Sequence, residues 1–208
     1  MDVVVLGESQ VSFLPVVRGL VRAADSVRRA IEEVNPEAVA LTVGREALDA
    51  LVAYDGGDAE PDNWEEEMYV AGLREWGEVK KPPPCFVEAV RAATERGIAV
   101  RALDFNDEDY TEAFVTHIST LDLLWHTRLE KKAREHGFTA TTPEEFVLEF
   151  DALVNDPEGY LRLEEARERH IAKRIGKLAG KHRSLLALVE YERAAGVRRL
   201  LEDYRPVY

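Results

Sequence analysis

Four short runs of apolar, largely β-branched residues punctuate the chain, at 3–6, 38–43, 98–103 and 185–189. The first two are close to continuously apolar, the pattern of strands covered on both faces in a parallel sheet. Helical spacing fills the intervals. Val16, Leu20, Ala23, Val27, Ala30, Ile31 and Val34 recur at three and four, and Pro36 closes that helix before the second run. Ala47, Leu48, Leu51 and Val52 make a short amphipathic segment after it. Beyond Pro82-Pro83-Pro84, the residues Phe86, Ala89, Val90 and Ala93 lead to Gly97 as a cap before the third run. The alternation predicts an α/β fold: a central, mainly parallel or mixed sheet flanked by helices, with 1–208 forming one domain.

Two segments stand outside the alternation. Residues 55–84 open on Asp55-Gly56-Gly57-Asp58, close on breakers between Gly77 and Pro84, and bracket a helix with Trp64, Met68, Leu73 and Trp76. That helix is expected either to cover a crevice or to seat a satellite core at the sheet edge. Residues 107–181 form a larger helical excursion. In it the stripe Phe114, Ile118, Leu121, Trp125 and Leu129 reads as one helix that stops at Gly137. The stripe is a candidate homodimer contact, although packing within the chain fits it better. Thr142-Pro143-Glu144-Glu145 starts another helix with Thr at the N-cap and Pro at N1, and Asp156-Pro157 opens the last long one.

Charge removes several function classes. The 208 residues carry 40 Asp+Glu against 27 Lys+Arg, for a formal net charge of -13. A phosphate polymer needs a concentrated basic surface, and a sequence pI of about 4.9 argues against nucleic acid as a partner. The longest apolar runs fall far short of the about 18–20 residues that span a bilayer, so no membrane partner is expected. No basic, apolar leader precedes Val3, and one cysteine, Cys85, excludes an internal disulfide framework. The expected location is the cytoplasm.

Ligands of an open α/β sheet bind outside the carboxyl ends of the strands. On this reading the first run delivers Glu8, Ser9 and Gln10, and the second delivers Thr42 and Arg45. The third delivers Asp104 and Asn106, and the fourth Glu190, Glu192 and Arg193. Glu168 is a further candidate. Its neighbours three, four and seven positions on are Ile171, Ala172 and Ile175, and a carboxylate in an apolar stripe needs a partner or a task. Removal of Glu168 is expected to destabilise more than removal of Glu164, one turn earlier. The five histidines show no metal-binding spacing, no glycine-rich phosphate loop appears, and Ser9 lacks the glycines of a nucleophile elbow.

The ordered pieces resemble the TraB/PrgY/GumN/Tiki family, whose members are known or proposed metal-dependent hydrolases of peptide substrates. Leu6-Gly7-Glu8-Ser9-Gln10-Val11-Ser12 stands where that family has a strand ending in Gly-Thr-Ala-His. Asn35-Pro36-Glu37-Ala38-Val39-Ala40-Leu41-Thr42-Val43 stands for its Pro-Asp-x-Val-x-x-Glu-Leu strand. Asp104 is similar to the aspartate after its third strand, and Glu168-Arg169 to its late Glu-Arg pair. Val189-Glu190-Tyr191-Glu192-Arg193-Ala194-Ala195-Gly196-Val197 occupies the place of its closing Val-Gly-x-Gly-His-x-x-Gly-Ile segment. The resemblance implies an EreA/ChaN/TraB-like fold.

The departures decide the functional expectation. The two family histidine positions are Gln10 and Arg193, and the strand-two glutamate is Thr42. An amide is a weak metal ligand and a guanidinium is none, so the family's route to a divalent metal is lost and the cofactor is open. Two readings follow. One is a catalytically silent domain that binds a small molecule, peptide or protein in the crevice, with Ser9, Gln10, Thr42, Glu192 and Arg193 as binding residues. The other is a hydrolase of peptide or ester bonds with a rebuilt site. There Glu8, Asp104, Glu168, Glu190 or Glu192 supply a base or the ligands of a hard divalent ion, and Arg169 or Arg193 stabilises an oxyanion. Both require Glu8, Thr42, Asp104 and Glu190 on one edge. Glu8 and Glu190 at opposite edges would end both the site proposal and the resemblance.

Overall fold

The computed structural model describes residues 1–202. Its sheet has five strands, β1 (Asp2–Leu6), β2 (Ser9–Val16), β3 (Ala38–Leu41), β4 (Ala99–Ala102) and β5 (Ser184–Glu190), in the order β1-β2-β5-β3-β4. β1 and β2 form an antiparallel hairpin, and the pairs β2–β5, β5–β3 and β3–β4 are all parallel. The mixed α/β architecture thus matches the sequence pattern, with one strand more than the four apolar runs.

That extra strand is β2. Gly7 takes a φ of +63, which a glycine adopts without strain, and turns the chain back between Leu6 and Ser9. β1 lies at the edge with Val3 57% and Val5 65% exposed, so its apolar run does not mark a strand buried on both faces. β2 contains Pro15, which argues against a central strand in a sequence reading. Yet β1 pairs only as far as Phe13, so from Leu14 onward β2 has an open edge where a residue without an N–H is tolerated.

Helices cover both faces. α1 (Ala23–Val34), α2 (Arg45–Val52), α3 (Trp64–Leu73), α4 (Pro84–Glu95), α5 (Asp107–His117), α6 (Thr120–Glu135), α7 (Pro143–Val154), α8 (Glu158–Ala179) and α9 (Tyr191–Glu202) follow in chain order. β5 shows the alternation most clearly. Leu185, Ala187 and Val189 face Ile171 and Ile175 of α8 and Val197 of α9, whereas Leu186 and Leu188 face Ile31 of α1 and Phe86 and Ala89 of α4. Each fully buried leucine on this strand contributes about 1.5–3 kcal/mol relative to exposure.

A third cluster lies off the sheet. Tyr69 and Leu73 of α3 pack with Phe146, Val147 and Phe150 of α7 and with Val17 and Leu20 after β2. The 55–84 excursion therefore seats a satellite core. The 114–129 stripe is not one helix: Ser119 and Asp122 form a capping box, which ends α5 and starts α6. The break leaves Leu121 68% and Trp125 61% exposed. Among the described residues no helix is long and apolar enough to cross a membrane.

The parallel register fixes which residues share an edge. Val16 pairs with Glu190, while Gln10 pairs with Ser184. Glu190 therefore sits at the carboxyl end of the parallel strands. Glu8, in the hairpin turn before β2, and Ser9 and Gln10 lie at the amino end, about 20 Å away at some 3.3 Å per residue. The expectation that Glu8, Ser9 and Gln10 join the crest is corrected: an unrecognised strand carries the chain from one edge to the other after them.

Candidate functional site

The carboxyl ends of the strands carry a dense ionic cluster, beginning with Arg18, two residues past β2. Its Nη1 lies 3.1 Å from Glu190 Oε1, and its Nε lies 3.7 Å from Glu192 Oε1. Its guanidinium stands over the Tyr69 ring at 5.0 Å, and the Tyr69 hydroxyl donates to the Arg18 carbonyl at 3.3 Å. The strand ends beside it are tied together, since the Glu190 N–H donates to Thr42 Oγ1 at 3.2 Å. Thr42 is thus a buried clamp between β3 and β5.

α8 adds the second arginine. Arg167 Nη2 donates to Asp104 Oδ2 at 2.5 Å, Nη1 donates to Glu164 Oε2 at 2.9 Å, and Nη2 lies 3.8 Å from Glu190 Oε2. Asp104 also accepts from the Phe105 N–H at 2.8 Å, so it is held on two sides and aims Arg167 at the crest. Arg193 on α9 is the third arginine, only 5% exposed. It pairs with Asp151 of α7, and with Glu164 at 3.3 Å and Glu168 at 3.7 Å. The Glu168 carboxylate lies directly over Gly196 of α9, where a Cβ would collide with it.

Six carboxylates (Asp104, Asp151, Glu164, Glu168, Glu190 and Glu192) therefore meet three guanidiniums in this shell. Burial and the excess of negative charge favour the protonated form of several of these carboxyls. Burial, then the neighbouring Glu190 charge, pushes the Glu192 carboxyl up to about 7. Burial also raises Glu164, and burial together with Glu164 raises Glu168. Burial pushes Arg193 down to about 10, which leaves it charged at neutral pH.

A cavity of about 460 Å³ opens against this shell. Arg18, Glu164, Arg167, Glu190, Glu192 and Arg193 form its charged side. Tyr110 and Phe114 of α5, His126 of α6 and Tyr160 of α8 bring aromatic surface to it. The His126 ring stacks on Tyr160 at 4.6 Å and 12°, and its Nε2 lies 2.8 Å from Glu65 Oε1. The α3 helix lines the same cavity through Tyr69 and Val70, so it serves the crevice as well as its own core.

Of the residues picked from sequence, Thr42, Asp104, Glu168, Glu190, Glu192 and Arg193 gather at this edge. Glu8, Ser9 and Gln10 do not, for the topological reason already given. Arg169 does not either: its side chain is 54% exposed and pairs with Glu165 at 3.5 Å, and Arg167 takes the place expected of it. Glu168 is half-buried beside a crest arginine as expected, but Glu164 has the richer set of contacts. Glu164 touches both Arg167 and Arg193 and lines the cavity, whereas Glu168 reaches only Arg193 among the described arginines, at 3.7 Å. Arg18, Arg167, Glu164 and the aromatic wall escaped the sequence reading. Spacing from Ile171 (four back for Arg167, seven back for Glu164) placed both on the inner side of α8, but Arg18 could be placed only with β2 recognised.

The donor set does not suit the divalent metal that the family resemblance implies. Glu190 has Arg18 against one oxygen and Arg167 near the other, and Arg167 also takes up Asp104. Among the described residues no three His, Cys, Asp or Glu side chains converge as metal ligands. Compared with known proteins, the chain matches no protein-family model and no curated protein.

Proposed function

We propose that the crest of this α/β domain binds a small molecule without catalysing a reaction on it. The observation that carries the reading is the occupation of the crest carboxylates by the chain's own Arg18, Arg167 and Arg193, beside a cavity of about 460 Å³. That volume lies within the roughly 300–1,000 Å³ of small-molecule sites. A metal-dependent hydrolase needs those carboxylates free, and guanidiniums repel a cation. Glu8 and Glu190 stand at opposite edges of the sheet, so the reading does not rest on the family resemblance.

A metal-independent hydrolase of peptide or ester bonds is the second reading, favoured by Glu192. A carboxyl that titrates at about 7 is matched to general-base work at neutral pH, and Arg18 beside it could stabilise an oxyanion. The exposed Leu121 and Trp125 support, in addition, contact with a second copy of the chain.

Thermal melts of the wild type with separate panels of amino acids, nucleosides and short peptides test the proposal. At least one compound should raise the melting point, by mass action on the folded state, and the gain should vanish in Arg18→Ala. Gains that persist in Arg18→Ala would move the site elsewhere. Turnover of the stabilising compound, lost in Glu192→Gln, would decide for the hydrolase.

A further inference from the structure

Among the described residues, buried side-chain atoms without a hydrogen-bond partner occur at three places: Ser9 Oγ, Arg18 Nε and Glu192 Oε2. Two of the three belong to neighbouring side chains on the cavity wall, one a donor and the other an acceptor. Unmade hydrogen bonds on buried charged groups are costly and rare, and a partner from outside the chain is one explanation for them. Both atoms are out of contact with solvent as the side chains stand, so a ligand reaches them by a shift of those side chains. Arg18 is 43% exposed along its side chain, and the described ion pair of Glu192 is the 3.7 Å approach to Arg18. The rest of the lining is aromatic at Tyr110, Phe114, His126 and Tyr160, which favours a flat ring over a flexible chain.

We infer that the cavity takes a flat, uncharged heterocycle with a cyclic-amide edge, its C=O accepting from Arg18 Nε–H and its adjacent N–H donating to Glu192 Oε2. The inference rests on the binding reading above and names its ligand class. Keto nucleobases carry this edge on one ring or on two fused rings. The net charge of -13 argues against their polymers but has no bearing on a free nucleoside. With Glu192 ionised, guanidinium and carboxylate together select against ligands that present two donors or two acceptors, because one protein group would then stay unpaired.

Calorimetric titration and the Arg Nε–Hε spectrum of the wild type, with guanosine and uridine as the two sources and 1-methylguanosine and N3-methyluridine as blocked forms, test it. Guanosine or uridine is expected to bind and to move the Arg18 resonance. The matching methylated compound should bind about tenfold or more weakly, the loss expected when a buried acceptor is left unpaired. Equal binding of the blocked form would overturn the inference and leave the binding reading in place. Binding of free glutamate or lysine at Arg18 with no nucleoside binding would do the same. If none of these compounds moves any cavity resonance at about millimolar concentration, the inference fails and the binding reading loses its support. The comparison is made on the ligand, so it holds even where Arg18→Ala or Glu192→Ala folds poorly.

Discussion

Replacing Arg167 by alanine should lower stability by about 3–5 kcal/mol, the loss expected when one member of a buried ionic cluster is removed and the others stay behind. Arg167 is the member with most to leave unpaired. It serves Asp104 at 2.5 Å and Glu164 at 2.9 Å and stands 3.8 Å from Glu190, with its side chain 21% exposed. Burial works against its charge, and the surrounding carboxylates more than offset that and raise its pKa well above the ordinary value. For a chain of this length each kcal/mol moves the melting point by about 2–4 °C, so the drop should be of order 10 °C. Arg169→Ala is the internal control. Its exposed pair with Glu165 is worth about 0–1 kcal/mol, and the variant should melt within about 4 °C of the wild type. Equal effects would mean that Arg167 is a surface arginine and that the crest is held by packing alone.

Stability should also fall as pH rises from about 5 to about 7, opposite in sign to an ordinary paired carboxylate. Glu192 titrates at about 7 in the folded protein against an ordinary 4.5. The folded state therefore keeps a proton that the unfolded chain has already released over this window. The contribution is complete below the unfolded value and is lost as pH passes through the folded one. At 1.36 kcal/mol per unit the loss reaches about 3 kcal/mol. Glu190 of β5, Arg18 after β2, Tyr69 of α3 and Arg167 of α8 face this carboxyl, and the two arginines moderate the rise that burial and Glu190 cause. Glu164 and Glu168, both raised, add in the same direction. Urea titrations at pH 5 and pH 7.5 should give a lower midpoint at the higher pH, and Glu192→Gln should remove most of the difference. A wild-type midpoint that rises with pH would place Glu192 among fully ionised, well-paired carboxylates.

The parts of the fold that show in the sequence are those written in local pattern. Asn35, held in the left-handed region at a φ of 44, and Pro36 end α1 where the apolar spacing stops, and Gly97 ends the segment before β4. The buried strands β3 and β5 are continuous apolar runs because helices cover both their faces. β2 escapes because Pro15 reads as a breaker and because its tolerance depends on where β1 ends, a tertiary fact. That single omission moved Glu8, Ser9 and Gln10 to the wrong edge and hid Arg18. The carboxylates Asp104, Glu190 and Glu192 were legible because they follow apolar runs directly. Arg167 is separable from Arg169 by spacing, since it stands four positions before the buried Ile171 and Arg169 only two, but the family's Glu-Arg pair drew the choice to Arg169.

The central claim is that the crest arginines occupy the carboxylates a metal would need. Paramagnetic broadening by Mn²⁺ reads this directly. At one equivalent of Mn²⁺, the amides of Thr42, Asp104, Glu190 and Glu192 should lose no more intensity than the exposed acidic turns at Glu8 and Asp58. Selective loss at Glu190 and Asp104, abolished in Glu190→Gln, would contradict the account and return the crest to metal chemistry.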